Sequence, residues 1–136
     1  MTTTTGSAKG MNIALWVAQA LLAALYLMAG ANKSFQSIEA LSKMLPWVTE
    51  MPAGIVRFIG ISEVLGALGL VLPSLLRKQP KLTIYAAWAL ALLQVMAAGF
   101  HLSRGEASVI GMNIVLIALS VFIAWGRNKK APIVAR

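Results

Sequence analysis

The chain has 136 residues, of which 59% are hydrophobic and only 12% charged, with a mean hydropathy of +0.78. Soluble domains carry about 25% charged residues, so this chain has too little polar surface to coat a water-facing globule. Its net charge of +8 does not signal nucleic acid. The basic residues lie between long apolar runs and at the C-terminus, not on a face interleaved with base-stacking aromatics.

In chain order, the Thr-rich residues 1–11 are expected to be irregular. The first span is Ile13–Ala31, apolar except for Gln19. Lys9, this apolar run and Ala29-Gly30-Ala31 also fit a cleavable leader. Leader cores are about 7–15 residues, and this run has 19 from Ile13 to Ala31, so a retained anchor is expected. In the loop 32–54, Phe35, Ile38, Leu41 and Leu45 recur at helical spacing until Pro46 stops the pattern. This predicts a short amphipathic helix lying on the outer membrane surface; the alternative is an ordered loop capping the bundle.

The second span, Ile55–Leu72, contains Arg57 and Glu63. A hinge opened by Pro73 follows, with Arg77, Lys78, Gln79, Pro80 and Lys81. Leu82–Phe100 carries Gln94 and ends before His101 and a tight turn at Ser103-Arg104-Gly105-Glu106. Val109–Trp125 carries Asn113 and Ser120, and residues 128–136 form a basic tail. Each run approaches the roughly 20 residues that a helix needs to cross about 30 Å of hydrocarbon, and none alternates with period two. The expected fold is all-α: one membrane domain over residues 12–127, a four-helix transmembrane bundle whose first outer loop carries the short amphipathic helix.

Basic residues near the span ends set orientation. Lys9, Arg77, Lys78, Lys81, Arg127, Lys129, Lys130 and Arg136 fall on one side; Lys33, Lys43, Arg57 and Arg104 fall on the other or in the membrane. The first side, with both termini, is expected in the cytoplasm. Trp16, Tyr85, Trp88 and Trp125 lie toward the same ends, as an interfacial belt requires. Gly60, Gly66, Ala67 and Gly69, with Ala86, Ala87, Ala91, Ala97 and Ala98, suit close helix crossings.

A carboxylate within a span costs about 2.5–3.5 kcal/mol on insertion scales, so Glu63 is expected to face the bundle interior and a partner. Arg57 and Glu63 are separated by about 9 Å of rise and about 120° of rotation, so each should answer to another helix. Gln19, Tyr26 and Lys33 are spaced by seven, as are Gln94 and His101, and Asn113 and Ser120, which places each set on one stripe. If the stripes converge, Lys33, Arg57, Glu63, Gln94, His101 and Asn113 bound a polar interior in the outer half, with Gln19 and Tyr26 contributing. The competing reading is that Gln, Asn and Ser are interhelical hydrogen-bond glue, and that Glu63 is one half of a structural ion pair with Lys33, Arg57 or His101.

Several strings resemble the DoxX-like family of small bacterial membrane proteins. They are Gly30-Ala31-Asn32-Lys33, the stretch Arg57-Phe58-Ile59-Gly60-Ile61-Ser62-Glu63-Val64-Leu65-Gly66-Ala67-Leu68-Gly69-Leu70 with Pro73, and His101 at the end of span three. The resemblance runs from about Ile13 to Arg127. It implies a four-helix membrane fold in the bacterial inner membrane, and carries over Lys33, Arg57, Glu63 and His101 as recurring polar positions. Some relatives are subunits of a thiosulfate:quinone oxidoreductase and some associate with redox-defence enzymes.

Cys is absent, which excludes disulfides, thiolate metal sites and dithiol relays; sulfur chemistry would fall to a partner or a bound substrate. One His and four acids leave little for a metal site, and no catalytic motif stands out, so the sequence leans away from an enzyme. Three readings follow, in order. The first is a membrane subunit or interaction module with a polar site around Glu63. The second is a quinone-linked oxidoreductase component served by a membrane or peripheral redox protein, in which Tyr26, Gln94 and His101 hold the quinone and Glu63 handles protons. The third is a proton-coupled carrier, although four-helix drug exporters place their essential acid in the first span.

Overall fold

The computed structural model describes residues 6–106, 108 and 110–135. Helix α1 runs Gly6–Phe35, α2 Ile38–Met44, α3 Ala53–Leu76, α4 Lys81–Ser103 and α5 Ile110–Trp125. A 3-10 turn, Pro46–Glu50, joins α2 to α3, and a wider π turn, Gly126–Lys130, extends α5. Four of these helices are long and apolar enough to span a bilayer: Lys9–Phe35, Ala53–Leu76, Lys81–Ser103 and Ile110–Lys130. The spanning helix is what lipid demands, because it satisfies every backbone N–H and C=O within the segment.

The helices pack in a ring, α1 on α3, α3 on α4, α4 on α5 and α5 back on α1, with the α1–α5 seam the loosest. One end of the bundle carries Gly6, the α3–α4 hinge and the π turn; the other carries α2 and the α4–α5 turn. They are termed the termini end and the loop end. The core, with Leu22, Tyr26, Leu70, Leu90 and Ile123, fills the space between the four spans. The opposite faces carry exposed Ile13, Phe58, Leu65, Leu92 and Ile114, the pattern of a surface solvated by acyl chains.

The helices overrun the expected spans. α1 starts at Gly6, within the segment 1–11 expected to be irregular; residues 1–5 lie outside the described ones. At the other terminus, residues 128–130 continue the helical path. Val109, the expected start of span four, also lies outside the described residues. Pro73 does not open the hinge but sits inside α3, which continues to Leu76. Side chains from neighbouring helices steady the backbone there: Leu70 O accepts from Gln19 Nε2 at 2.6 Å and from Thr83 Oγ1 at 3.5 Å. The chain instead turns through Arg77 (φ 56°) and Gln79 (φ 48°), both left-handed and both unusual for residues with a side chain.

α2 caps the bundle. Its N-terminus is set by Ser37, whose hydroxyl accepts from Ala40 N–H at 3.1 Å, so Phe35 ends α1 and does not share the α2 face. Leu41 and Val48 are fully buried against Val56 of α3, making a small second core at the loop end.

Candidate functional site

The site begins with a close crossing of α1 and α3. A Cβ added to Gly30 would stand 2.6 Å from Gly60 O, and one on Gly60 would stand 2.7 Å from Lys33 Cβ. Only glycine permits this approach. Lys33 and Glu63 each follow their glycine by three residues. Side chains on a helix lean toward its N-terminus, and the two helices are antiparallel. Lys33 therefore leans toward the bundle middle and Glu63 toward the loop end, and they meet. Lys33 Nζ lies 2.7 Å from Glu63 Oε1, with the residues 8% and 3% exposed. Of the three candidate partners of Glu63, the structure selects Lys33.

Arg57 turns elsewhere. Its guanidinium donates to Lys33 O at 2.8 Å and to Gln36 O at 2.5 Å, covering carbonyls that the last turn of α1 cannot satisfy itself. Arg57 thus fixes the end of the helix that carries Lys33, and does not bound the interior as expected.

Below the cap lies a cavity of about 620 Å³ lined by residues of all four spans. Its polar lining comprises Tyr26, Lys33, Glu63, Gln94, His101 and Asn113; the remainder is apolar, roofed by Leu45, Trp47 and Met51. Asn113 Nδ2 donates to Gln94 Oε1 at 2.6 Å. Two buried oxygens in this lining find no hydrogen-bond partner among the described residues: the Tyr26 hydroxyl, which lies beside the Gln94 amide, and Asn113 Oδ1. Tyr26 is 2% exposed and Asn113 7%. Buried polar atoms are nearly always paired, so these two oxygens are exceptions in the lining. Leu25 and Met112, on the two sides of the loose α1–α5 seam, line the cavity and are also exposed on the outer face.

His101 does not approach Glu63. Its Nδ1 lies 3.0 Å from Glu106 Oε1, which also accepts from Arg104 Nε at 2.8 Å. His101 first, then Arg104, hold the Glu106 carboxyl below the usual carboxylate range. Arg104 also pairs with Glu50 of the 3-10 turn, and its guanidinium stands 5.6 Å from the centre of the Phe100 ring, on which Trp47 packs edge-on at 5.9 Å. The two loop-end connections are thereby joined above the cavity.

Gln19 lies outside this cavity. Tyr26 and Lys33 reach it, but Gln19 is at the termini end, within a second buried polar cluster. Its Oε1 accepts from Arg127 Nε at 2.6 Å, and Ser74 and Thr83 hydroxyls sit 2.7 Å apart beside it. Ser120 does not line the cavity either, since its hydroxyl turns back to Leu116 O at 2.8 Å. Arg127, read from sequence as a charge at the membrane face, is 2% exposed. A signal for it existed: Asn113, Ser120 and Arg127 continue one seven-residue stripe, as do Asn12, Gln19, Tyr26 and Lys33, and Arg127 donates to Asn12 at 2.7 Å.

Fold and site together define a four-span membrane protein with a buried ion pair beside a mostly apolar cavity. The sequence profile of the DoxX-like family matches residues 17–123, and the chain belongs to that family. Comparison with curated proteins and with solved structures gives no significant match.

Proposed function

We propose that this DoxX-like protein is a membrane subunit whose loop-end cavity holds a lipophilic, quinone-type ligand. The observation that carries this reading is the pair of buried oxygens, Tyr26 Oη and Asn113 Oδ1, without a hydrogen-bond partner among the described residues, in a mostly apolar chamber. A volume of about 620 Å³ falls in the range of about 300–1,000 Å³ common for small-molecule pockets. The Tyr26 hydroxyl donates to a quinone carbonyl, and Asn113 Oδ1 accepts from a quinol hydroxyl, so the two suit both redox forms. A quinone supplies a carrier of two electrons and two protons. Lys33 holds the Glu63 carboxylate at the cavity wall, and His101 with Glu106 connects the wall to the loop-end surface. The chain has no Cys, so electrons would pass to or from a partner redox protein.

In this reading the termini lie in the cytoplasm of a bacterium and the cavity opens in the outer half of the inner membrane, because seven of the eleven basic residues among the described ones lie at the termini end. The Cys-free chain permits a direct check. Lys129→Cys should resist a membrane-impermeant thiol reagent in intact cells, and Ser103→Cys should react.

The ligand test uses the full chain in nanodiscs titrated with decylubiquinone while Trp47 emission is followed, with the other tryptophans changed to Phe. Saturable quenching is expected. Tyr26→Phe and Asn113→Leu should each weaken it by about tenfold, the value of one hydrogen bond of about 1.4 kcal/mol. Absence of saturable quenching, together with no redox lipid extracted from protein purified out of native membranes, would refute the reading.

A further inference from the structure

The termini end presents a second, chemically different site. Arg127 Nε donates to Gln19, and one guanidinium nitrogen donates to Asn12 and to Ala131 O at 2.7 and 2.8 Å. The other has no hydrogen-bond partner among the described residues although the side chain is buried. Among the described residues no carboxylate answers this charge. The four acids of the chain, Glu39, Glu50, Glu63 and Glu106, all belong to the loop-end half. A buried cation with no counterion and an unused N–H donor is incomplete.

Arg127 lines a cavity of about 720 Å³ that it shares with Arg77, Lys78 and Lys81. The hinge that supplies these three is held by its two left-handed residues and by Arg77 Nε donating to Val134 O at 2.7 Å. Trp16, whose ring centre lies 5.4 Å from the Arg127 guanidinium, braces the other side.

We propose that this cavity binds a phosphate-bearing anion through Arg127, with Arg77, Lys78 and Lys81 around it. A guanidinium offers the forked donor geometry that suits phosphate, and basic pockets between spans at one membrane face suit anionic headgroups. The phosphate can belong to a phospholipid or to a soluble compound.

The test uses the full chain in phosphatidylcholine nanodiscs, with thermal unfolding and native mass spectrometry as readouts. One arm adds 20 mol% phosphatidylglycerol; a second adds inorganic phosphate, with sodium chloride at matched ionic strength as control. Stabilisation and a retained adduct in the first arm identify a lipid, and in the second a soluble phosphate. Lys78→Gln and Lys81→Gln, both exposed and outside the packing, should each reduce retention by about fivefold. Arg127→Lys should fold and keep the charge but lose the open donor, and with it most of the retention; where it does not fold, the two lysine variants decide. No response in either arm, or a response unchanged in the lysine double variant, overturns the proposal. The quinone titration reads a different cavity and is unaffected by either result.

Discussion

Replacing Lys33 by Met leaves the Glu63 carboxylate 3% exposed and without its cation. At 2.7 Å the two charges attract by about 6 kcal/mol at an effective dielectric near 20. Most of that attraction offsets the cost of removing both ions from water, so the pair as a whole contributes little net stability. Breaking it is another matter: removal of one partner from a buried pair costs about 3–5 kcal/mol. Lys33→Met and Glu63→Leu should therefore each destabilise by about that amount. The double variant, with no buried charge left, should lie within about 1 kcal/mol of the parent. Unfolding by SDS in mixed micelles, followed by far-UV circular dichroism, measures all four corners of the cycle. Single variants that unfold like the parent, or a double variant whose loss equals the sum of the singles, would refute a mutually dependent pair at the α1–α3 crossing.

Gly60→Ala should cost more than about 2 kcal/mol, because the new methyl would meet Lys33 Cβ at 2.7 Å and the Gly30 carbonyl oxygen at 2.8 Å, neither free to move. Gly99→Ala, with nothing within 4 Å, should instead be neutral or stabilising by up to about 1 kcal/mol in the same assay. Arg57→Leu removes two charge-assisted hydrogen bonds to the carbonyls of Lys33 and Gln36. A loss of about 1.5–3 kcal/mol should appear with faster amide exchange over residues 32–36. The depressed Glu106 pKa sets the sign of an acid effect. Its contacts with His101 and Arg104 stabilise the loop end above the ordinary carboxylate pKa, near 4.3, and that contribution fades as pH falls through the lower folded value. Side-chain carboxyl chemical shifts in a pH titration should give a Glu106 midpoint below the ordinary carboxylate value of about 4.3; an equal or higher midpoint would contradict the geometry.

The two polar clusters explain how far a stripe can be read. Asn12, Gln19, Tyr26 and Lys33 share one face of α1, but Asn12 and Lys33 are about 30 Å apart along the axis, nearly the thickness of the hydrocarbon. One stripe therefore feeds two sites, with Asn12 and Gln19 joining Arg127 while Tyr26 and Lys33 join Glu63. Spacing fixes the face a residue occupies and leaves open the depth at which a partner meets it. Arg57 illustrates the same limit: its position one turn inside α3 was legible, whereas its partners are backbone carbonyls, which no side-chain pattern announces.

The four spans, the absence of Cys and a short helix in the first loop follow from sequence alone, whereas the seat of that helix as a cap was decided by packing. Run length and helical periodicity are local properties, and lipid leaves an uninterrupted apolar run few other solutions. The choice of Lys33 over Arg57 and His101 for Glu63, the displacement of Gln19 from the cavity and the burial of Arg127 were decided by tertiary structure. Each depends on the rotation and depth at which one helix meets another. Those quantities are set by contacts such as Gly30 against Gly60, which exist only once the helices have packed.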